Sequence, residues 1–193
     1  ELAEIIGDYD GLIIRSATQV TAKVLAKPGK LKGIARAGVG IDNVDVPTAT
    51  RKGILVMNTP GGNTLSAAEH TMALMLAMSR NVVPACNSLK AGTWDKKSYV
   101  GNQLNNKVIG IIGLGRIGMA VAKMASGFNM KILGYDPLAT PPDVDRLGME
   151  IITDLEKIFR EADFISMHVP RNAGTLNMIG EAQLKMMKPT TRI

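Results

Sequence analysis

Cysteine occurs once in this 193-residue chain, at Cys86, so no internal disulfide can form, and no Cys and His spacing offers a metal site. That scarcity suits a reducing compartment, and a cytoplasmic protein is the expectation. Aromatic residues make up only 4%, and the basic residues fall in ones and twos. The stacking platforms and charged stripes of a nucleic-acid surface are therefore missing, and no nucleic-acid partner is expected. No apolar run nears the roughly 18 residues of a membrane span. The richest, Met72 to Met78, is far shorter, so no membrane partner is expected either. An initiating Met and a basic-then-apolar leader are both lacking, since the chain opens on Glu1-Leu2-Ala3-Glu4. It closes on Lys188-Pro189-Thr190-Thr191-Arg192-Ile193 as a strand pattern begins, so the sequence reads as a piece of a longer protein.

What is present is ordinary for a globular chain: 46% hydrophobic and 21% charged residues, enough to bury a core. The net charge of +6, without clustering, suits a small anionic ligand. Short β-rich runs alternate with helical stretches. Strands are expected at Gly11 to Arg15, Leu31 to Ala37 and Ile54 to Asn58, with helices over 22–26, N-capped by Thr21, and over 46–52. The turn-rich stretch Thr59-Pro60-Gly61-Gly62-Asn63 marks a boundary. A long helical pattern follows from Ser66 to Arg80, with Ser66 and Glu69 in capping-box spacing, and then a helix over 84–91. Beyond it the pattern predicts strands over 108–112, 131–135, 149–152 and 164–168, with helices over 116–128 and 154–161. The fold class is α/β, two Rossmann-like parallel-sheet halves in succession.

Gly113-Leu114-Gly115-Arg116-Ile117-Gly118 is a G-x-G-x-x-G set between a strand and a helix. In that context Gly113 permits a tight turn, Gly115 lets the backbone approach a pyrophosphate, and Gly118 lets helix pack on strand. Asp136 ends the next strand 18 residues beyond Gly118. A carboxylate there accepts hydrogen bonds from ribose hydroxyls and repels a 2′-phosphate, so the cofactor expected is NAD rather than NADP.

Several further motifs lie in register with these. Ala37-Gly38-Val39-Gly40-Ile41-Asp42-Asn43-Val44-Asp45, Arg51-Lys52-Gly53-Ile54 and Asn58-Thr59-Pro60, together with Gly113 to Gly118, closely resemble the D-isomer-specific 2-hydroxyacid dehydrogenases from Gly11 to Pro189. The resemblance implies a hydride passed between nicotinamide C4 and C2 of a D-2-hydroxyacid, in a cleft between two domains. It makes residues 1–60 a partial flavodoxin-like substrate-binding domain and residues 61–193 a partial NAD-binding Rossmann domain carrying dimerisation helices, both incomplete. A homo-oligomer, dimer or tetramer, is implied for the full-length protein. Residue by residue, it puts Arg116 and Ile117 against the pyrophosphate, Asp136 on the ribose, His168, Val169 and Pro170 beside the adenosine, and Val39 at the nicotinamide end. Val169 and Val39 stand where the family often has a hydroxyl, so their contacts would be van der Waals or through backbone. Arg171 replaces a usual apolar residue.

The substrate side rests on Arg15, Arg36 and Gly38. Both arginines end predicted parallel strands, where open α/β sheets place ligands, and paired guanidiniums suit a phosphate or carboxylate. The alternative for each is a solvated strand-end arginine. Lys96 and Lys97 read as surface residues, His70 as a packed residue of an apolar helix, and Cys86 as a small buried hydrophobe. The family's catalytic arginine, glutamate and histidine motifs do not occur in these residues, so the segment alone is expected to be inactive and no catalytic residue is assigned within it. An NAD-sensing corepressor-like protein and another 2-hydroxyacid dehydrogenase, such as a glyoxylate or hydroxypyruvate reductase, remain as alternatives.

Overall fold

The computed structural model describes residues 1–138 and 141–193 and divides into two units, Glu1–Asn63 and Thr64–Ile193. The first opens with a single helical turn, α1 (Leu2–Ile5), followed by strands β1 (Gly11–Ile14) and β2 (Gly33–Arg36), helix α2 (Val46–Arg51) and strand β3 (Leu55–Asn58). The strands pair in parallel in the order β1-β2-β3, with Ile14 opposite Arg36 and Arg36 opposite Asn58. Alternation sends Ile14 and Ile34 into a core with Val20, Leu25, Leu31 and Ile54, while Ile13, Leu55 and Met57 on the other face are exposed. Helix α2 starts where Asp45 Oδ1 accepts the Thr48 N–H at 2.9 Å, with Pro47 in its first turn.

Two local expectations in this unit are corrected. The stretch over 22–26 is not a helix but a 3₁₀ turn, Val24–Ala26, and Thr21 is no side-chain cap; its carbonyl instead accepts the Leu25 N–H. With Pro28 and Gly29 so near, there is no room for a second turn, and an isolated first turn does not offset its nucleation cost.

The second unit contains helices α3 (Thr64–Ser79) and α4 (Val82–Lys90), strand β4 (Val108–Ile112), helix α5 (Arg116–Gly127), strands β5 (Lys131–Tyr135) and β6 (Met149–Ile151), helix α6 (Leu155–Glu161), strand β7 (Phe164–Met167) and helix α7 (Glu181–Met186). The sheet is all parallel, in the order β6-β5-β4-β7. Because both faces are covered, its strands are nearly continuous apolar runs. On one side Ile109, Ile111 and Ile132 pack with Met72 and Met75 of α3 and Val121 and Ala125 of α5. On the other Ile112, Leu133 and Ile165 pack with Ile158 and Phe159 of α6.

Helix α3 begins two residues before Ser66, which removes Ser66 and Glu69 from capping-box positions. His70 lies exposed on α3, and Cys86 is exposed on α4, so both expectations of burial are corrected. The buried positions of α3 are Ala68, Met72, Met75 and Ser79, a stripe that leaves His70 on the opposite side. Helix α7, which the pattern did not predict, starts where the Gln183 side chain accepts the Gly180 N–H at 3.0 Å. Among the described residues no helix is long and apolar enough to cross a membrane.

Asp163 joins three parts of this unit at the amino-terminal edge of the sheet. Its Oδ2 accepts the Val108 N–H at 2.9 Å, and its Oδ1 accepts from Lys188 Nζ at 2.9 Å. Its carbonyl accepts the Arg192 N–H at 3.1 Å, where Arg192 bridges in parallel to Phe164. Burial by itself would raise the Asp163 pKa, but the Val108 N–H and the Lys188 ammonium outweigh it and hold the carboxyl below its usual range. The sign of the linkage follows: the carboxylate's stabilisation is complete above its unfolded pKa of about 3.9 and is lost as pH falls through the lower folded value. Asp163→Ala is expected to destabilise the protein by about 1–3 kcal/mol at pH 7, the cost of stranding a half-buried N–H and an ammonium. Urea unfolding at pH 7 checks it, and the difference from wild type should shrink below pH 4.

Candidate functional site

Register builds the site in the second unit. Ile112, the last residue of β4, lies opposite Tyr135 on β5 and Met167 on β7, so Gly113, Asp136 and His168 come together as the next residues of three adjacent strands. The Gly113 N–H continues the ladder to the Tyr135 carbonyl at 2.8 Å, and the His168 N–H donates to the Ile112 carbonyl at 2.7 Å. Gly113 has φ +95°, and a Cβ there would stand 2.8 Å from the His168 carbonyl carbon. At Gly118 a Cβ would lie 2.0 Å from the Gly113 carbonyl oxygen, so helix α5 can approach its own loop only without a side chain.

Asp136 does more than end a strand. Its Oδ2 accepts the Leu114 N–H at 2.9 Å and its Oδ1 accepts the Leu138 N–H at 2.9 Å. The carboxylate thus braces the middle of the glycine loop while each oxygen keeps a second lone pair for a ligand. Gly115 caps α5, and a Cβ on it would meet nothing within 4 Å, which leaves open space before the helix N-terminus. The first-turn amides of Arg116 and Ile117 have no intrahelical acceptor in such a position. Arg116 is exposed, while the Ile117 side chain packs on the core and offers the site only its backbone. Bare backbone, free amides and an acid on the neighbouring strand fit a dinucleotide.

His168 is half-buried, with Nε2 2.9 Å from the Ser166 hydroxyl two residues back on the same strand face. Burial pushes its pKa below the ordinary 6.5. Val169 packs against the α6 side of the core, and Pro170 is exposed, its carbonyl accepting from the Thr175 hydroxyl.

In the first unit Arg15, Arg36 with the Gly38 loop, and Asn58 stand at the carboxyl ends of β1, β2 and β3. Two asparagines whose roles the motif did not reveal organise this edge. Buried Asn43 donates from Nδ2 to the carbonyls of Arg15 at 3.0 Å and Thr18 at 2.7 Å. Asn58 Nδ2 donates to the Val39 carbonyl at 2.7 Å. The buried Arg36 Nε has no hydrogen-bond partner among the described residues. Lys96 and Lys97 are exposed, as read from the sequence. Among the described residues no cluster of three or more His, Cys, Asp or Glu could hold a metal ion.

Residues 72–193 match the D-isomer specific 2-hydroxyacid dehydrogenase family over its NAD binding domain. The chain belongs to that family. It is similar to D-3-phosphoglycerate dehydrogenase of Synechocystis sp., with 45% identity over 193 residues, 100% of this chain and 35% of that protein. A hydroxypyruvate reductase of Thermotoga maritima is 48% identical over 188 residues, 97% of this chain and 60% of its own length. Among solved structures, D-lactate dehydrogenase from Aquifex aeolicus, complexed with NAD and lactic acid, superposes with a TM-score of 0.89 at 30% identity. That match covers 96% of this chain and 56% of the other. The chain spans about a third of the length of its Synechocystis relative.

The burial of His168 carries a measurable consequence. Since the folded state disfavours the imidazolium, the unfolded state takes up the proton first, and stability falls as pH drops through about 6.5. In an NMR titration the His168 ring should change charge below pH 6.5. A midpoint at or above that value would mean that the imidazole is not held neutral.

Proposed function

We propose that the full-length protein containing this chain oxidises D-3-phosphoglycerate to 3-phosphohydroxypyruvate with NAD. NAD, when bound, accepts a hydride at nicotinamide C4 from C2 of the hydroxyacid. The amides at the start of α5, with the bare backbone of Gly113, Gly115 and Gly118, hold the pyrophosphate. Arg116 adds positive charge there, and Ile117 contributes its N–H. Asp136 accepts from the adenosine ribose hydroxyls and by its charge disfavours a 2′-phosphate. His168, Val169 and Pro170 lie along the adenosine, the imidazole neutral at pH 7, and Val39 meets the nicotinamide end by backbone or van der Waals contact.

Arg15 and Arg36 hold the substrate phosphate in this reading. The observation that carries the choice of a phosphorylated substrate is the unpartnered, buried Nε of Arg36 at the end of β2, with Arg15 following the end of the neighbouring strand β1. A charged donor left this way costs free energy unless an anion completes it. The Thermotoga relative favours a second reading, reduction of unphosphorylated hydroxypyruvate, in which the arginines are solvated. A corepressor-like role is not favoured by these relatives. We further infer a homo-oligomer, supported by the exposed apolar residues Leu65, Leu74, Met78, Val82, Val83 and Leu89 of α3 and α4, and a cytoplasmic setting, supported by the single free cysteine.

Asp136→Ala in the full-length protein should weaken NAD binding by about 1.5–3 kcal/mol, roughly ten- to a hundredfold, and relax discrimination against NADP. Calorimetric titration with each dinucleotide measures both, and unchanged NAD affinity removes Asp136 from the ribose. For the substrate, Arg15→Ala should raise KM for D-3-phosphoglycerate far more than for D-glycerate, because only the phosphorylated acid loses a charged partner. Equal effects on the two acids would favour the second reading.

A further inference from the structure

Gly38 follows β2 and lies directly under the head of Arg36. A Cβ built on it would stand 2.0 Å from Arg36 Nη1, 2.7 Å from Cζ and 3.3 Å from Nε. The guanidinium therefore lies across the bare Cα, at a distance no side chain would permit. We propose that the missing side chain of Gly38 is the seat that orients the Arg36 guanidinium, which makes Gly38 a positioning residue for selectivity toward phosphorylated hydroxyacids. The proposal rests on the reading of Arg36 as a phosphate ligand.

The loop cannot move aside to make room. The Gly38 N–H donates to the Arg36 carbonyl at 2.9 Å, and the Gly38 carbonyl accepts the Thr59 N–H at 3.0 Å. The next carbonyl, of Val39, is taken by Asn58 Nδ2 at 2.7 Å. Three bonds, two of them from the end of β3, pin the loop against its own sheet. The flexible partner is the arginine, so an added methyl group displaces the guanidinium rather than the backbone. The displacement does not break an ion pair, because Arg36 has no carboxylate partner among the described residues. Three other arginines are spent locally: Arg51 donates to the Thr48 hydroxyl at 2.7 Å, Arg160 pairs with Glu156, and Arg146 with Asp143 at 3.5 Å. Arg36 is thus held by packing alone with its donors unspent, the state of a group oriented for an incoming anion.

The experiment compares KM and kcat for D-3-phosphoglycerate and D-glycerate in the full-length enzyme and in Arg36→Ala, Gly38→Ala and the double variant. Arg36→Ala should raise KM for the phosphorylated acid by about tenfold or more. Gly38→Ala should raise the same KM comparably and raise KM for D-glycerate far less. The double variant should be no worse than Arg36→Ala alone, since the two changes remove one interaction. If Arg36→Ala affects both acids equally, the phosphate reading falls and the proposal with it. If Arg36→Ala is selective while Gly38→Ala is silent, or harms both acids alike, only the seat is overturned. Gly38 has φ +155°, so Gly38→Ala also strains the backbone. Should it not fold, Arg36→Lys decides the matter. An ammonium keeps the charge but has no planar head to lie on the bare Cα, so selectivity should fall toward that of Arg36→Ala, and full retention by lysine would overturn the proposal.

Discussion

Parallel pairing obliges every strand of a sheet to end along the same edge, and the chemistry of this chain depends on that obligation. Neither sheet has an antiparallel pair among its described strands, so Arg15, Arg36 and Asn58 collect at one edge of the first, and Gly113, Asp136 and His168 at one edge of the second. No long loop is needed to gather them. The register does it, and the register is in turn held by apolar residues that a one-residue slip would turn to the wrong face. Ile109, Ile111, Ile112, Ile132 and Leu133 are all essentially inaccessible, so the burial that stabilises the second sheet also aligns its site.

Charge divides along the same lines. Away from the functional edges, the ion pairs are local or solvated: Lys131 and Lys157 share Glu150, Arg160 pairs with Glu156, and Lys185 with Glu181. Such exposed pairs contribute little to stability and serve mainly solubility. Asp163 differs because it bonds a backbone N–H as well as an ammonium, and it works at the edge opposite the glycine loop. One end of the sheet is thus closed by a spent carboxylate, while the other keeps bare backbone and lone pairs.

The features legible in the sequence were those whose cause is local. The strand before Gly113, the helix after it and the acid at the end of β5 follow from apolar runs, glycine placement and spacing, and the structure puts them side by side. What could not be read depends on partners far along the chain. Asp163 bonds Val108 across 55 positions, and Asn43 bonds the Arg15 carbonyl across 28, with nothing near either to announce it. His70 and Cys86 depart from the burial their apolar surroundings imply for a related reason. An apolar helical segment implies burial on average, but only the stripe facing the sheet is covered, and neither residue lies on a covered face. Helix α7 did carry a local signal, Gly180 three residues before Gln183, which is half of a capping box without the usual hydroxyl.

The two sheets solve the same problem with opposite polarity. In each, an inner strand runs into a G-x-G: Gly38-Val39-Gly40 after β2 and Gly113-Leu114-Gly115 after β4. In each, the middle residue of that loop is held by a polar side chain from the end of the next strand in sequence, Asn58 after β2's loop and Asp136 after β4's. Asn58 donates to the Val39 carbonyl, whereas Asp136 accepts the Leu114 amide. An amide side chain that binds a carbonyl adds no charge to the edge that carries Arg15 and Arg36. A carboxylate there has no proton to donate to the Val39 carbonyl. At the second edge the loop presents an N–H instead, and a carboxylate braces it while keeping further lone pairs free. The identity of the bracing residue, amide or acid, therefore follows from the backbone group each loop presents, a carbonyl that needs a donor at Val39 and an N–H that needs an acceptor at Leu114.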